Sequence, residues 1–271
     1  MSDDQAPLPP PWWRIESRRA AKEAARQVRH EERSERRAER SLRRAERRGE
    51  APAREPITAD RVAQAALRLV DRDGVEGLTV RALAGELGVG TMTLYWYVAD
   101  KNEVLDLVGD RLLGEAPLPD PDLEWQAAVR QGTISIRETL LRHPRAVALL
   151  VERGALGPSA LRLLDATLGI LRKAGFSDRD AVDAYITLSN FVTGYCSYET
   201  SGPTADGRGG VVGKDLMSRY MKSLPPDRYP NVDAAADLLF TSDRDARFNF
   251  GLDCLIAGFE AKLGTGRKAG S

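Results

Sequence analysis

The side chains best suited to chemistry in this chain lie in TMTLYWYVADK, from Thr91 to Lys101. Read as a helix from Thr91 to about Val98, the stretch puts Leu94 and Val98 on one face. Met92, Thr93, Trp96 and Tyr97 spread over the opposite face, with Tyr95 at its edge, because successive residues turn by about 100°. Leu94 and Val98 already supply an inward side. Hydroxyl, thioether and aromatic groups then point outward, where they suit base edges, thymine methyls and phosphates in a major groove. The chemistry expected is recognition of double-stranded DNA, with no bond made or broken.

Such a helix must be held against a second one. Val80, Leu83, Ala84 and Leu87 recur at i, i+3, i+4 and i+7, and Thr79 precedes them as N-cap. Gly88 ends this helix, since glycine takes the left-handed conformation without a β-carbon clash. The pair reads as a helix-turn-helix. A bracing helix comes before it, capped by Thr58, with Val62, Ala66, Leu69 and Val70 as its buried face and Asp73–Gly74 as its end.

At these residues the chain resembles the tetracycline-repressor-like family of bacterial regulators. The matching pieces are ITADRVAQAALRLV, DGVEGLTVRALAGELGV and TLYWYVADK. Family members usually carry a histidine after the aromatic pair, where this chain has Tyr97. The resemblance implies DNA contacts from Val80 and Arg81 at the start of the second helix, from Thr91, Met92, Thr93, Tyr95, Trp96 and Tyr97, and from Lys101. It also implies an all-α homodimer: a three-helix DNA-binding head at 57–103 and a helical ligand-binding and dimerisation domain at 104–264. In the tetracycline-binding branch a histidine helps to hold a drug–metal chelate. The corresponding segment here, AVALLVERGALGP, has none, so neither tetracycline nor magnesium is expected.

Composition sets the outer limits. With 271 residues, 42% of them hydrophobic, the chain can bury one or two cores of ordinary size. No apolar run approaches the ~18 residues of a membrane span, and MSDDQAPLPPP lacks the order of a signal peptide, so a cytoplasmic protein is expected. Cys196 and Cys254 lack metal-ligand spacing and read as buried packing thiols. Net charge is zero, yet between Arg14 and Glu50 there are 14 Arg or Lys against eight Glu. Residues 1–56 thus read as a charged extension, either a solvated tail or an arm along DNA phosphates.

Beyond the helix expected from Lys101 to Leu113, PLPDPD marks a boundary, and only helices follow. One should end at Pro144, one should run from Pro158 to Gly175, and a long apolar one should open at Ser177 and continue to about Thr200. A last one, RDARFNFGLDCLIAGFEAKL, is apolar on two sides; with the 178–200 helix it would build the family's dimeric four-helix bundle. The glycine-rich stretch 201–214 lacks phosphate-loop spacing, and residues 265–271 read as a tail. An effector pocket is expected around Trp125, Phe191, Tyr195 and Tyr220. Its ligand would be an unidentified hydrophobic or aromatic molecule.

Catalysis has little to stand on. His30 and His143 are the only imidazoles, the first in the charged extension and the second beside a helix-ending proline, where it reads as a surface or capping residue. No catalytic residue, metal ligand or cofactor is expected. The reading is a transcription regulator, a repressor released from a near-palindromic operator by a small molecule. The alternatives are an activator, or a DNA-binding or interaction protein whose second domain only dimerises.

Overall fold

The structure, a computed structural model, describes residues 57–154, 157–200, 214–241 and 243–269. The charged extension 1–56 and the glycine-rich stretch up to residue 213 lie outside the described residues. Among those described there is no strand. Eleven helices follow one another: α1 (Ala59–Gly77), α2 (Val80–Leu87), α3 (Thr91–Leu94), α4 (Lys101–Gly114), α5 (Trp125–Arg142), α6 (Val147–Arg153), α7 (Pro158–Ala174), α8 (Asp178–Thr200), α9 (Lys214–Lys222), α10 (Pro230–Thr241) and α11 (Arg244–Ala269). They fall into two compact units that divide between Val108 and Gly109, within α4.

In the first unit, local chemistry sets each helix end. The Thr58 hydroxyl accepts from the Arg61 N–H at 3.1 Å, and Thr79 does the same for Ala82 at 3.1 Å, each filling one donor that the first turn leaves open. Val62, Ala66, Leu69 and Val70 of α1 are buried, as are Leu83, Ala84 and Leu87 of α2. Asp73–Gly74 interrupts α1 without ending it: Gly74 takes φ 77° and ψ 175°, after which helical turns continue to Gly77. Arg68 and Arg72 of α1 both reach Glu86 of α2, at 3.1 and 3.5 Å. These pairs are exposed, so the α1–α2 contact rests mainly on the aliphatic face.

The second unit is organised on α8, which α5, α6, α7 and α11 all touch. Pro158 stands in the first turn of α7, where the missing N–H costs nothing, and Asp110 accepts from the Ser159 and Ala160 N–H groups at 2.8 and 3.1 Å. Gly175, at φ 99°, closes that helix. The Ser177 hydroxyl accepts from the Asp180 N–H at 3.1 Å and so opens α8. His143 is the C-cap of α5, its Nε2 3.0 Å from a Glu115 carboxylate oxygen. The last helix runs past the expected end at 264 to Ala269.

Of the two cysteines expected to be buried packing thiols, only Cys196 is buried. Cys196 is fully buried, and burial, aided by Glu199 and opposed by Arg137, pushes its thiol up to about 12. Cys254 is exposed, because it falls on the outward side of α11 while Leu252 and Ile256 occupy the inward side.

Candidate DNA-reading face and ligand cavity

The α2–α3 connection is built by one glycine. Gly88 sits at φ 68° and ψ 33°, and the Val89 N–H then donates back to the Ala84 carbonyl at 2.9 Å, a Schellman closure that reverses the chain within two residues. The helix that follows is shorter than its spacing suggests. Regular geometry covers Thr91–Leu94, after which Trp96 and Tyr97 donate to Thr93 and Leu94, three residues back, at 3.2 and 2.9 Å. The Trp96 and Tyr97 N–H groups stay bonded in this tighter, 3₁₀-type turn, and Val98 returns to the four-residue pattern by donating to the Leu94 carbonyl at 3.1 Å.

Inward and outward sides are nonetheless sharply divided. Leu94 is 0% and Val98 3% exposed, whereas Met92 is 75%, Trp96 72% and Tyr95 52% exposed. Thr91, Thr93 and Arg81 are exposed, Val80 half-buried. Tyr97 is half-buried, so the tightened turn exchanges the places expected for Tyr95 and Tyr97. Lys101 is half-buried too, its Nζ donating to the Val75 carbonyl at 3.3 Å. That bond leaves ammonium protons for an anion while fixing the side chain against α1.

The second unit holds a cavity of about 480 Å³ between α5, α7 and α8. Ala128, Val129, Gly132, Thr133 and Ile136 line it from α5, Ala160, Leu163, Thr167 and Ile170 from α7, and Tyr185, Leu188, Ser189, Val192 and Thr193 from α8. Leu150 and Val151 of α6 close another side. Small residues are prominent in the wall, with Ala128, Gly132 and Thr133 on α5 and Ser189, Thr193 and Gly194 on α8. A β-carbon at Gly132 would stand 3.2 Å from Cβ of Pro119, another wall residue. No Asp, Glu, Lys, Arg or His belongs to the described wall. Thr133 and Thr167 each donate their hydroxyl proton to a carbonyl one turn earlier, Val129 and Leu163, at 2.8 Å. What they present to the cavity is therefore lone pairs.

The four aromatic residues expected around a pocket lie elsewhere, and none lines this cavity. Trp125 is buried edge-on against Phe176, with ring centres 5.1 Å apart. Phe191 and Tyr195 turn toward α11 and pack on Phe248 at 5.1 and 5.2 Å. Tyr220 is exposed on α9. The reason is helical phase: Tyr185, Leu188, Ser189 and Val192 form the i, i+3, i+4, i+7 face toward the cavity, and Phe191 and Tyr195 belong to the neighbouring face. The signal that could have located the wall was the run of small residues, Ala128-x3-Gly132-Thr133 and Ser189-x3-Thr193-Gly194, on helices whose other faces are large.

Beneath the aromatic cluster lies a charged group that sequence reasoning did not find. Arg137 of α5 meets Glu199 of α8 through Nε and Nη2 at 2.9 and 2.8 Å, and Asp245 of α11 at 2.7 Å. Its guanidinium also stands 4.6 Å over the Phe248 ring. The hydrogen bond to Glu199 raises the Arg137 pKa further above its ordinary value, against the opposing pull of burial.

A capped helix, a glycine turn and a short helix with an outward apolar face, followed by a helical unit with its own cavity, define a helix-turn-helix regulator. Comparison with known proteins gives the same class and a family. Residues 63–108 match the bacterial regulatory proteins of the tetR family, and residues 118–263 match the tetracyclin repressor-like C-terminal domain. The chain belongs to the TetR family of DNA-binding transcriptional regulators. It is 35% identical to the transcriptional repressor DrrR1 of Streptomyces coeruleorubidus over 77% of this chain and 80% of that one. To the class A tetracycline repressor from transposon 1721 of Escherichia coli it is 34% identical, over 73% and 88% of the two chains. Among solved structures, apo ActR of Streptomyces coelicolor superposes with a TM-score of 0.70 at 35% identity, covering 79% of this chain and all of ActR. ActR in complex with actinorhodin gives 0.69, over 77% and 99% of the chains. Members of the family bind DNA operators, act as dimers and bind small-molecule effectors. No described helix is long and apolar enough to cross a membrane.

Proposed function

We propose that this chain is a cytoplasmic, effector-released repressor in which residues 57–103 read the operator and residues 104–264 bind the effector and dimerise. The observation that carries the reading is the outward face of Thr91, Met92, Thr93, Tyr95 and Trp96 over a filled interior of Leu94 and Val98. Val80, Arg81, Tyr97 and Lys101 flank that face, the last two half-buried, with Arg81 and Lys101 supplying positive charge toward phosphates. Two copies would present two such faces to major grooves about 34–36 Å apart, so the operator is a near-palindrome. Tyr198 of α8 and Phe250 of α11, both largely exposed in the single chain, support an outward dimer face on those helices.

The effector belongs in the α5–α7–α8 cavity. Its walls favour an uncharged, largely apolar molecule with hydroxyl donors for Thr133 and Thr167. Such a ligand releases DNA only if it binds the DNA-free arrangement of the dimer more tightly. The experiment is selection from a random duplex library with the full chain, followed by a compound screen that reads both melting temperature and release of the selected duplex. A ligand at 100 times its Kd should stabilise the protein by about 2.7 kcal/mol. Selection that enriches no sequence would overturn the reading of DNA. Compounds that raise the melting temperature without releasing the duplex would overturn the repressor–effector coupling.

A further inference from the structure

Building on the DNA-reading assignment, we propose that this chain selects its operator chiefly through the 5-methyl groups of thymines, contacted by Met92 and Trp96 and by the methyls of Thr91 and Thr93. The outward face lacks the side chains that paired hydrogen bonding needs. From Gly90 to Val98 the sequence GTMTLYWYV contains no Arg, Lys, Asn, Gln, Asp or Glu. Two-point recognition of guanine takes Arg or Lys, that of adenine takes Asn or Gln, and the cytosine amino group is met by Asp or Glu. Hydroxyls of Thr91, Thr93 and Tyr95 can add single hydrogen bonds, which discriminate less among bases. The groove edge carries one apolar group, the thymine methyl, and the face presents two large apolar side chains to meet it.

The exposures match that use. Met92 and Trp96 are about three-quarters exposed while Leu94 between them is fully buried, so neither is needed to fill the interior. Both belong to the outward side of the one stretch whose inward side Leu94 and Val98 fill. Arg81, exposed at the start of α2, and Lys101 lie outside this patch, and their charge attracts phosphates. Arg81 is also the one rival reader, because a guanidinium can grip guanine from the second helix.

The test begins with the duplex selected from a random library by the full-length protein. Each thymine in turn is replaced by deoxyuridine, which removes only the methyl, and affinity is measured by fluorescence anisotropy at fixed salt. Each buried methyl should be worth about fourfold in affinity, the value for one methylene-sized group leaving water. At the position that each residue touches, Met92→Ala or Trp96→Ala should shrink that loss to under about twofold, which ties the effect to the side chain and not to altered DNA stiffness. Equal binding of the thymine and uracil duplexes would overturn the inference and leave the DNA-reading assignment standing. So would a site defined by guanines whose preference disappears in Arg81→Ala. Failure to enrich any sequence would overturn the assignment itself.

Discussion

In the first unit Tyr95 and Trp96 stand in solvent above an aliphatic interior of Leu94, Val98 and the α1–α2 face. In the second, Phe191, Tyr195 and Phe248 pack against one another, and the cavity wall beside them is mostly aliphatic and hydroxyl-bearing, with Tyr185 and Asn190 among its residues. Aromatic side chains at helical spacing therefore have opposite meanings in the two places. What separates them is supply: the stretch Thr91–Val98 has Leu94 and Val98 to fill its inward side, so its rings are free, whereas between α8 and α11 the rings themselves are part of the packed contact. Gly251 shows how closely those helices meet, since a β-carbon there would lie 2.8 Å from the Phe191 ring.

The comparison can be broken most forcefully at Phe248, which is 1% exposed and touches Phe191, Tyr195 and Arg137. Phe248→Ala should destabilise the second unit by about 3–5 kcal/mol in chemical denaturation. A loss below about 1 kcal/mol would mean that the cluster is not structural. Arg137→Met should cost about 3 kcal/mol, because it leaves the buried Glu199 carboxylate without its guanidinium. Adding Glu199→Leu should recover most of that loss, and a double variant as unstable as the single one would contradict the account.

Trp96→Ala sharpens the other side. Folding stability should change by less than about 0.5 kcal/mol, as for an ordinary surface position, while operator binding weakens by about 1–3 kcal/mol. An unfolded variant would place Trp96 in the core after all. The effect that is absent at neutral pH concerns Cys196. Its thiol is pushed up to about 12 in the folded protein, against about 8.5 in an unfolded chain. Above the lower value the unfolded state sheds a proton that the folded state keeps, so this contribution to stability is complete below about pH 8 and is lost as pH rises toward 12. Cys196→Ala should remove that part of the alkaline decline, seen as a shallower fall of melting temperature between pH 8.5 and 11.

Helix ends were the most legible part of the sequence, because capping is local: Thr58, Thr79, Gly88, Pro158, Gly175 and Ser177 each mark a boundary that the backbone follows. The outward face of α3 was legible for a related reason, namely that Leu94 and Val98 account for the interior within eight residues. Its length was not, since no breaker residue marks the tightening at Trp96 and Tyr97. In the second unit the apolar faces of α8 and α11 could be seen, but not which face met which helix. Phe191 and Tyr195 do lie on a helix that faces the interior, but helical phase turns them toward Phe248 and not toward the cavity. The cavity depends on small residues, whose importance appears only when two helices are opposed. Arg137 and Glu199 carried no mark in a chain rich in both signs of charge.

That last pair also bears on the order of folding. Arg137 finds Glu199 across 62 positions of chain and finds Asp245 on a third helix, so the group is complete only after α5, α8 and α11 have come together. Closing a loop of that length loses entropy before any attraction compensates it, so the group is expected to form on the native side of the rate-limiting barrier. Weakening them would leave the refolding rate nearly unchanged and hasten unfolding. The buried Arg137–Glu199 pair, with the exposed Asp245 beside it, would thus govern the lifetime of the folded second unit, and with it how long the cavity keeps its shape.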